Sequence, residues 1–215
     1  MTFWKIKDFS IKSRLRKNAN SCFGTGFTLI ELLIVIAILA VLATAVILVL
    51  NPAELIKQSR DANRISDLAA LNSALALYLA DVTSPSLGVC SATVARCTAN
   101  NSGASPFTTR ATCSVATSTA VSGTGWVDVD LTDISNGSPL AREPIDPVNN
   151  DTYYYAYACV NTGSSPNYIY ELDTNMESVK FSSNGGSDVE SKDGGDKNAS
   201  STAWFETGNA PALNL

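Results

Sequence analysis

Thr28 and Glu31 stand three residues apart at the start of a run, Phe27–Leu50, whose only other polar member is Thr44. An ionised carboxylate at membrane depth is costly unless it finds a partner, so the partner of Glu31 is the first chemical question. Two answers are open, and they are compatible. Thr28-Leu29-Ile30-Glu31 has the T-x-x-E spacing of a capping box, in which the carboxylate takes a backbone N–H at a helix start. Alternatively, a cut in the bond before Phe27 would create an ammonium there. Glu31 of one copy would then pair with the ammonium of a neighbouring copy.

The cysteines are the second chemical set. Cys22 precedes the apolar run; Cys90, Cys97, Cys113 and Cys159 follow it. Four cysteines in an exported segment suggest two disulfides, with three connectivities open. The expected pairing is Cys90–Cys97 as a local clip and Cys113–Cys159 as a longer tie; four reduced, buried thiols are the alternative. With no C-x-x-C pair and no histidine in the chain, zinc is not expected. The missing histidine also removes Ser-His and Cys-His nucleophiles, and an enzymatic role is not expected. Loop solvation or strand alternation accounts for the paired acids Asp128/Asp130 and Asp146/Asp151 without catalysis. Asp188, Glu190, Asp193 and Asp196 surround Gly194-Gly195 and place hard oxygen ligands on a turn-rich loop, which makes them calcium candidates beside the plainer reading of a solvated acidic loop. Asp128-Val129-Asp130-Leu131-Thr132-Asp133 begins like a calcium loop but lacks its Gly and final Glu. No other cofactor is expected. N-x-S/T sequons fall at Asn100, Asn136, Asn150 and Asn198, near the chance rate for so Asn-, Ser- and Thr-rich a chain.

These groups need elements to position them. Phe27–Leu50 is 24 residues without Gly or Pro. As a helix it would reach roughly 36 Å, beyond a hydrocarbon core of about 30 Å. Residues 1–26 carry six Lys and Arg against Asp8, a net of +5, so the remainder carries −10 of the chain's overall −5. Positive charge before an apolar run places that side in the cytoplasm, and the acidic remainder argues against nucleic acid. The apolar run exceeds the usual h-region of a secretory signal, about 7–15 residues, and no small-x-small site follows it. After Leu50 the pattern turns amphipathic. Ile65, Leu68, Leu71, Leu75, Tyr78 and Leu79 share one helical face, with Lys57, Arg60, Asp61, Arg64 and Asp67 expected on the wet side. Either Asn51 caps a helix restarting at Pro52, or one helix continues with a kink there. Residues 82–125 read as irregular, with room for a short helix or strand. Strand signals lie at Trp126–Leu131, Tyr153–Val160, Tyr168–Leu172 and, more briefly, Val179–Phe181. Glu143–Asn150 is a Pro-bearing loop, and the polar tail from Ser182 wraps the sheet or moves.

Gly26-Phe27-Thr28-Leu29-Ile30-Glu31-Leu32-Leu33-Ile34-Val35-Ile36-Ala37-Ile38-Leu39 closely resembles the class III signal of type IV prepilins and pseudopilins. Asp146-Pro147-Val148-Asn149 before an aromatic strand is similar to the Asp-Pro segment of pseudopilin heads. The chain departs from better-known members in having no Pro in the later part of the apolar run; its first proline is Pro52. The resemblance implies an α+β fold shaped like a pilin lollipop, a long N-terminal helix bearing a small antiparallel β-sheet head. It divides the chain into a cytoplasmic leader, 1–26; a helix, 27–80, with 27–50 in membrane or filament core and 51–80 amphipathic; and a β head, 81–215. A prepilin peptidase would cut between Gly26 and Phe27 and methylate the Phe27 amine, and Glu31 would register subunits during assembly. The implied partners are other copies of the chain in a filament, the peptidase, an assembly platform and the cytoplasmic membrane. The chain would cross that bacterial membrane once, head outward, and reach a surface pilus after assembly. Some pseudopilins hold calcium in a C-terminal loop, which bears on Asp188 to Asp196. A type II secretion pseudopilin, and a minor pilin or adhesin whose head binds a ligand or surface, are the alternatives.

Overall fold

The computed structural model describes residues 26–99, 105–107, 110, 112–162, 167–191 and 204–209. Cys22 and the rest of the expected leader before Gly26, the sequons at Asn100 and Asn198, and the calcium candidates Asp193 and Asp196 lie outside the described residues. The chain divides into two compact units, one ending at Val49 and the other beginning at Leu50.

The first unit contains all but the last residue of α1 (Leu29–Leu50), a 22-residue helix. Leu, Ile, Val and Ala fill every turn, so no polar stripe forms. The stretch Leu29–Ile47 has a mean hydropathy of 3.0 and none of it is buried within the molecule; by length and composition it can cross a membrane. Thr44 turns its hydroxyl inward, donating to the Ala40 carbonyl at 2.8 Å, and so hides a polar group on an apolar rod.

The second unit begins with α2 (Pro52–Asp81). Pro52 suits a first turn because its missing N–H would have no partner there. The helix therefore restarts rather than running through a kink. Asn51 occupies the cap position, but with φ 40° and ψ 73° it is left-handed, and its side chain makes no capping bond. An extended backbone would aim that side chain at the first amides; a left-handed one does not. Its carbonyl instead accepts the Glu54 and Leu55 amides.

A five-stranded sheet follows: β1 (Val94–Cys97), β2 (Thr112–Val115), β3 (Tyr155–Thr162), β4 (Asn167–Thr174) and β5 (Phe205–Gly208). The spatial order is β2-β1-β3-β4-β5; β1 and β2 are parallel and the other neighbours antiparallel. With the apolar N-terminal helix, this is a pilin-like α+β layout. Side chains alternate across β3. Tyr155, Tyr157 and Cys159 join Leu68, Leu71, Leu75 and Tyr78 of α2 in the main core, whereas Ala156 and Ala158 enter a second core with Tyr154, Phe107 and Cys97. Both faces of β3 are thus buried, which explains its continuous apolar run. Full burial of each Leu on the α2 stripe contributes about 2 kcal/mol.

Two expected strands are absent. Trp126–Leu131 makes one isolated bridge, Asp130 with Ser122, and ends in a 3-10 turn over Leu131–Asp133. Its alternation holds from Val127 onward, since Val127, Val129 and Leu131 are buried and Asp128 and Asp130 less so, but Val127 gives its amide to the Glu143 side chain rather than to a ladder. Val179–Phe181 is a turn; the Val179 amide goes to Glu54 on α2. The tail instead supplies β5, paired with β4.

Candidate functional site

At the head of α1 the Thr28–Glu31 pair closes on itself. The Thr28 amide and hydroxyl donate to Glu31 Oε2 at 2.8 and 2.7 Å, and the Glu31 amide donates back to Thr28 Oγ1 at 3.3 Å. This is a reciprocal capping box, and it satisfies donors that the first turn would otherwise leave bare. Phe27 stands fully in the open at 88% exposure. A Cβ placed on Gly26 would meet nothing within 4 Å. Local packing therefore makes no demand for glycine at this position. Along α1 the described large apolar side chains are at least half exposed, far more than a water-soluble surface sustains.

The disulfides differ from the expected pairing. Cys90 bonds Cys159, and Cys97 bonds Cys113, with Cα separations of 5.0 and 5.7 Å. The sheet explains the change. Cys159 lies in the core facing α2, where Cys90 also packs; Cys97 and Cys113 belong to the core on the opposite face. Cys113 sits opposite Ala95 in the parallel register, one diagonal step from Cys97. Cys90–Cys97 and Cys113–Cys159 would each have had to pass through the sheet.

Among the calcium candidates, the structure brings Asp188 and Glu190 into one tight loop. Asp188 accepts the Asn184 and Ser191 amides, and Glu190 accepts the Met176 and Ser183 amides. Burial raises the Glu190 carboxyl above its usual range, with those amides opposing. Among the described residues no group of three or more His, Cys, Asp or Glu is arranged to hold a metal. Asp128 and Asp130 serve locally, accepting the Val89 and Thr132 amides. Asn150 closes a turn onto Thr152 and Tyr153.

Sequence reasoning placed Asp61 and Arg64 in water; both are fully buried. Arg64 donates to Asp146 through Nε and Nη2 and to Asp61 through Nη1. Burial opposes its charge, yet Asp146 and Asp61 more than offset that and hold its pKa above the usual value. The guanidinium also lies 5.0 Å from the Tyr153 ring centroid, within cation–π reach. Arg60 pairs with Glu177 nearby. The helical wheel could not reveal this, because Asp146 and Glu177 come from loops more than 80 residues away.

An exposed apolar N-terminal helix joined in sequence to a disulfide-bonded α+β unit defines the class of chain. Within it, residues 25–47 match the family described as prokaryotic N-terminal methylation motif. That motif is the class III signal of type IV pilins and pseudopilins. No match was found among curated proteins or among solved structures.

Proposed function

We propose that the chain is a structural subunit of a type IV pilus-like filament, made as a prepilin with a leader over 1–26. A prepilin peptidase cuts between Gly26 and Phe27 and methylates the new amine. The subunit then leaves the cytoplasmic membrane, head outward, and packs its α1 among those of identical copies. The observation that carries this reading is the methylation motif on a helix exposed and apolar around its whole girth. Such a surface needs lipid or other helices. Two details support the processing step. Phe27 is open to an enzyme, and nothing in the fold requires glycine at Gly26, so the glycine suits recognition by an outside partner. In the filament the Phe27 ammonium of one copy neutralises Glu31 of the next.

Mass spectrometry of the mature N-terminus tests the processing step, with a methylated Phe27 start expected. A product retaining Gly26 would overturn it. Glu31→Ala should insert into membrane normally and assemble poorly, as judged by sheared filaments; normal assembly would remove the pairing role.

A further inference from the structure

Leu55 and Ile56, in the first turns of α2, are both more than half exposed, and Val179, in the turn after β4, is 73% exposed. One hydrogen bond brings the two segments together: Glu54 Oε1 accepts the Val179 amide at 2.7 Å. Farther along α2, Asp61 accepts the Glu177 and Ser178 amides and fastens the same loop. Apolar side chains scattered singly on a surface are ordinary. Here they collect at the end of the folded unit where the chain leaves α1. Ile56 is six residues past Leu50, so the chain holds it within about 22 Å of the end of α1 in any arrangement.

The charge at this end has its own sign. Lys57 follows Ile56 and Lys180 follows Val179, and among the described residues neither ammonium has an acid within 4.0 Å. The neighbouring acids are engaged: Glu177 by Arg60, Asp61 by Arg64 and Glu54 by the Val179 amide. The chain after residue 26 is otherwise strongly acidic. Exposed aliphatic side chains bordered by unneutralised lysines, directly after a helix able to cross a membrane, have the chemistry of a lipid headgroup contact.

We propose that before assembly this end of the folded unit rests on the anionic phospholipid headgroups of the membrane that α1 spans. Leu55, Ile56 and Val179 enter the boundary between headgroups and acyl chains, and Lys57 and Lys180 meet the phosphates. The acidic remainder is repelled by the same surface, so the contact selects which end of the unit faces the lipid. The proposal rests on the reading of α1 as a membrane span.

Spin-label accessibility of the full chain in vesicles tests it. Cys22→Ser removes the cysteine outside the two disulfides. A nitroxide at Val179→Cys is then compared with one at Ala76→Cys, an exposed position about 30 Å farther along α2 than Ile56. In equimolar phosphatidylcholine and phosphatidylglycerol, the Val179 site should be open to oxygen and closed to a water-soluble nickel chelate, and the Ala76 site the reverse. Lys57→Ser and Lys180→Ser should each lower the ratio of docked to undocked chain about fivefold, and phosphatidylcholine alone should lower it further. Flotation with the vesicles reads α1 separately. A chain that fails to float would overturn the span and the proposal with it; a floating chain with both sites equally open to nickel would overturn the proposal alone. So would protection at Val179 that is unchanged in phosphatidylcholine alone and in the double lysine variant. Protection that vanishes as the chain is diluted into lipid would also overturn it, and would give the surface to a second copy.

Discussion

Arg64 and Asp146, 82 positions apart, meet through two parallel hydrogen bonds of 2.6 and 3.0 Å, with both side chains closed off from solvent. The third arm of the same guanidinium reaches Asp61, which accepts the Glu177 and Ser178 amides. Asp146 in turn accepts the Val148 and Asn149 amides. One cation thus fastens α2 to two loops, and each carboxylate also organises backbone that no strand would hold.

Removing that cation strands two buried carboxylates. Arg64→Met should cost about 3–5 kcal/mol, whereas Arg60→Met, at the partly exposed pair with Glu177, should cost far less. Urea unfolding of the detergent-solubilised chain measures both. Equal losses would show that burial does not distinguish the two pairs.

Glu143 gives stability a pH dependence. Burial, only partly opposed by the Val127 and Trp126 amides and by Arg96, pushes its carboxyl up to about 8 from an ordinary 4.5. Between those values the folded chain holds a proton that the unfolded chain releases. This contribution is present in full below the ordinary value. It is lost as pH rises through the folded one, at up to about 1.4 kcal/mol per pH unit. Glu143→Gln should flatten the unfolding free energy across that window; a variant with an unchanged slope would assign the effect to another group.

Non-reducing peptide mapping should return the Cys90–Cys159 and Cys97–Cys113 linkages. In the chain-entropy picture the bridges, spanning 69 and 16 residues, contribute about 4 and about 3 kcal/mol. Cys90→Ala with Cys159→Ala should therefore destabilise the chain somewhat more than Cys97→Ala with Cys113→Ala. The reverse order in denaturant midpoints would mean that local packing, not loop length, dominates.

Thr28→Val should loosen the Glu31 carboxylate without touching the apolar length of α1. It removes the hydroxyl donor at 2.7 Å and the acceptor for the Glu31 amide, worth about 1 kcal/mol of helix-start stability. Membrane fractionation should be unchanged, and filament yield should fall less than in Glu31→Ala. A yield as low as that of Glu31→Ala would mean that the hydroxyl itself takes part in assembly.

The helices were legible because their signals are local. Apolar composition marks α1, and the spacing of Leu68, Leu71, Leu75 and Tyr78 marks the buried stripe of α2. So was the Thr28–Glu31 box, which depends on three residues of spacing. The strands were legible where aromatic and β-branched residues cluster, as in β3 and β4. They were misplaced at Trp126–Leu131, where a buried alternating segment is held by a carboxyl side chain instead of a neighbour strand. The disulfide pairing was hidden because it depends on which face of the sheet each cysteine occupies. Asp61, Arg64 and Glu143 escaped for a related reason: a charge reads as surface until the distant group that receives it is known.

Because α1 shows the same oily character in every direction, it carries no azimuthal address: a neighbour could approach from any side and gain about as much. In a fibre of the proposed kind, rotational order would then have to be imposed by the folded portions farther along the chain. The single acid near the tip would set only how far one rod slides past another.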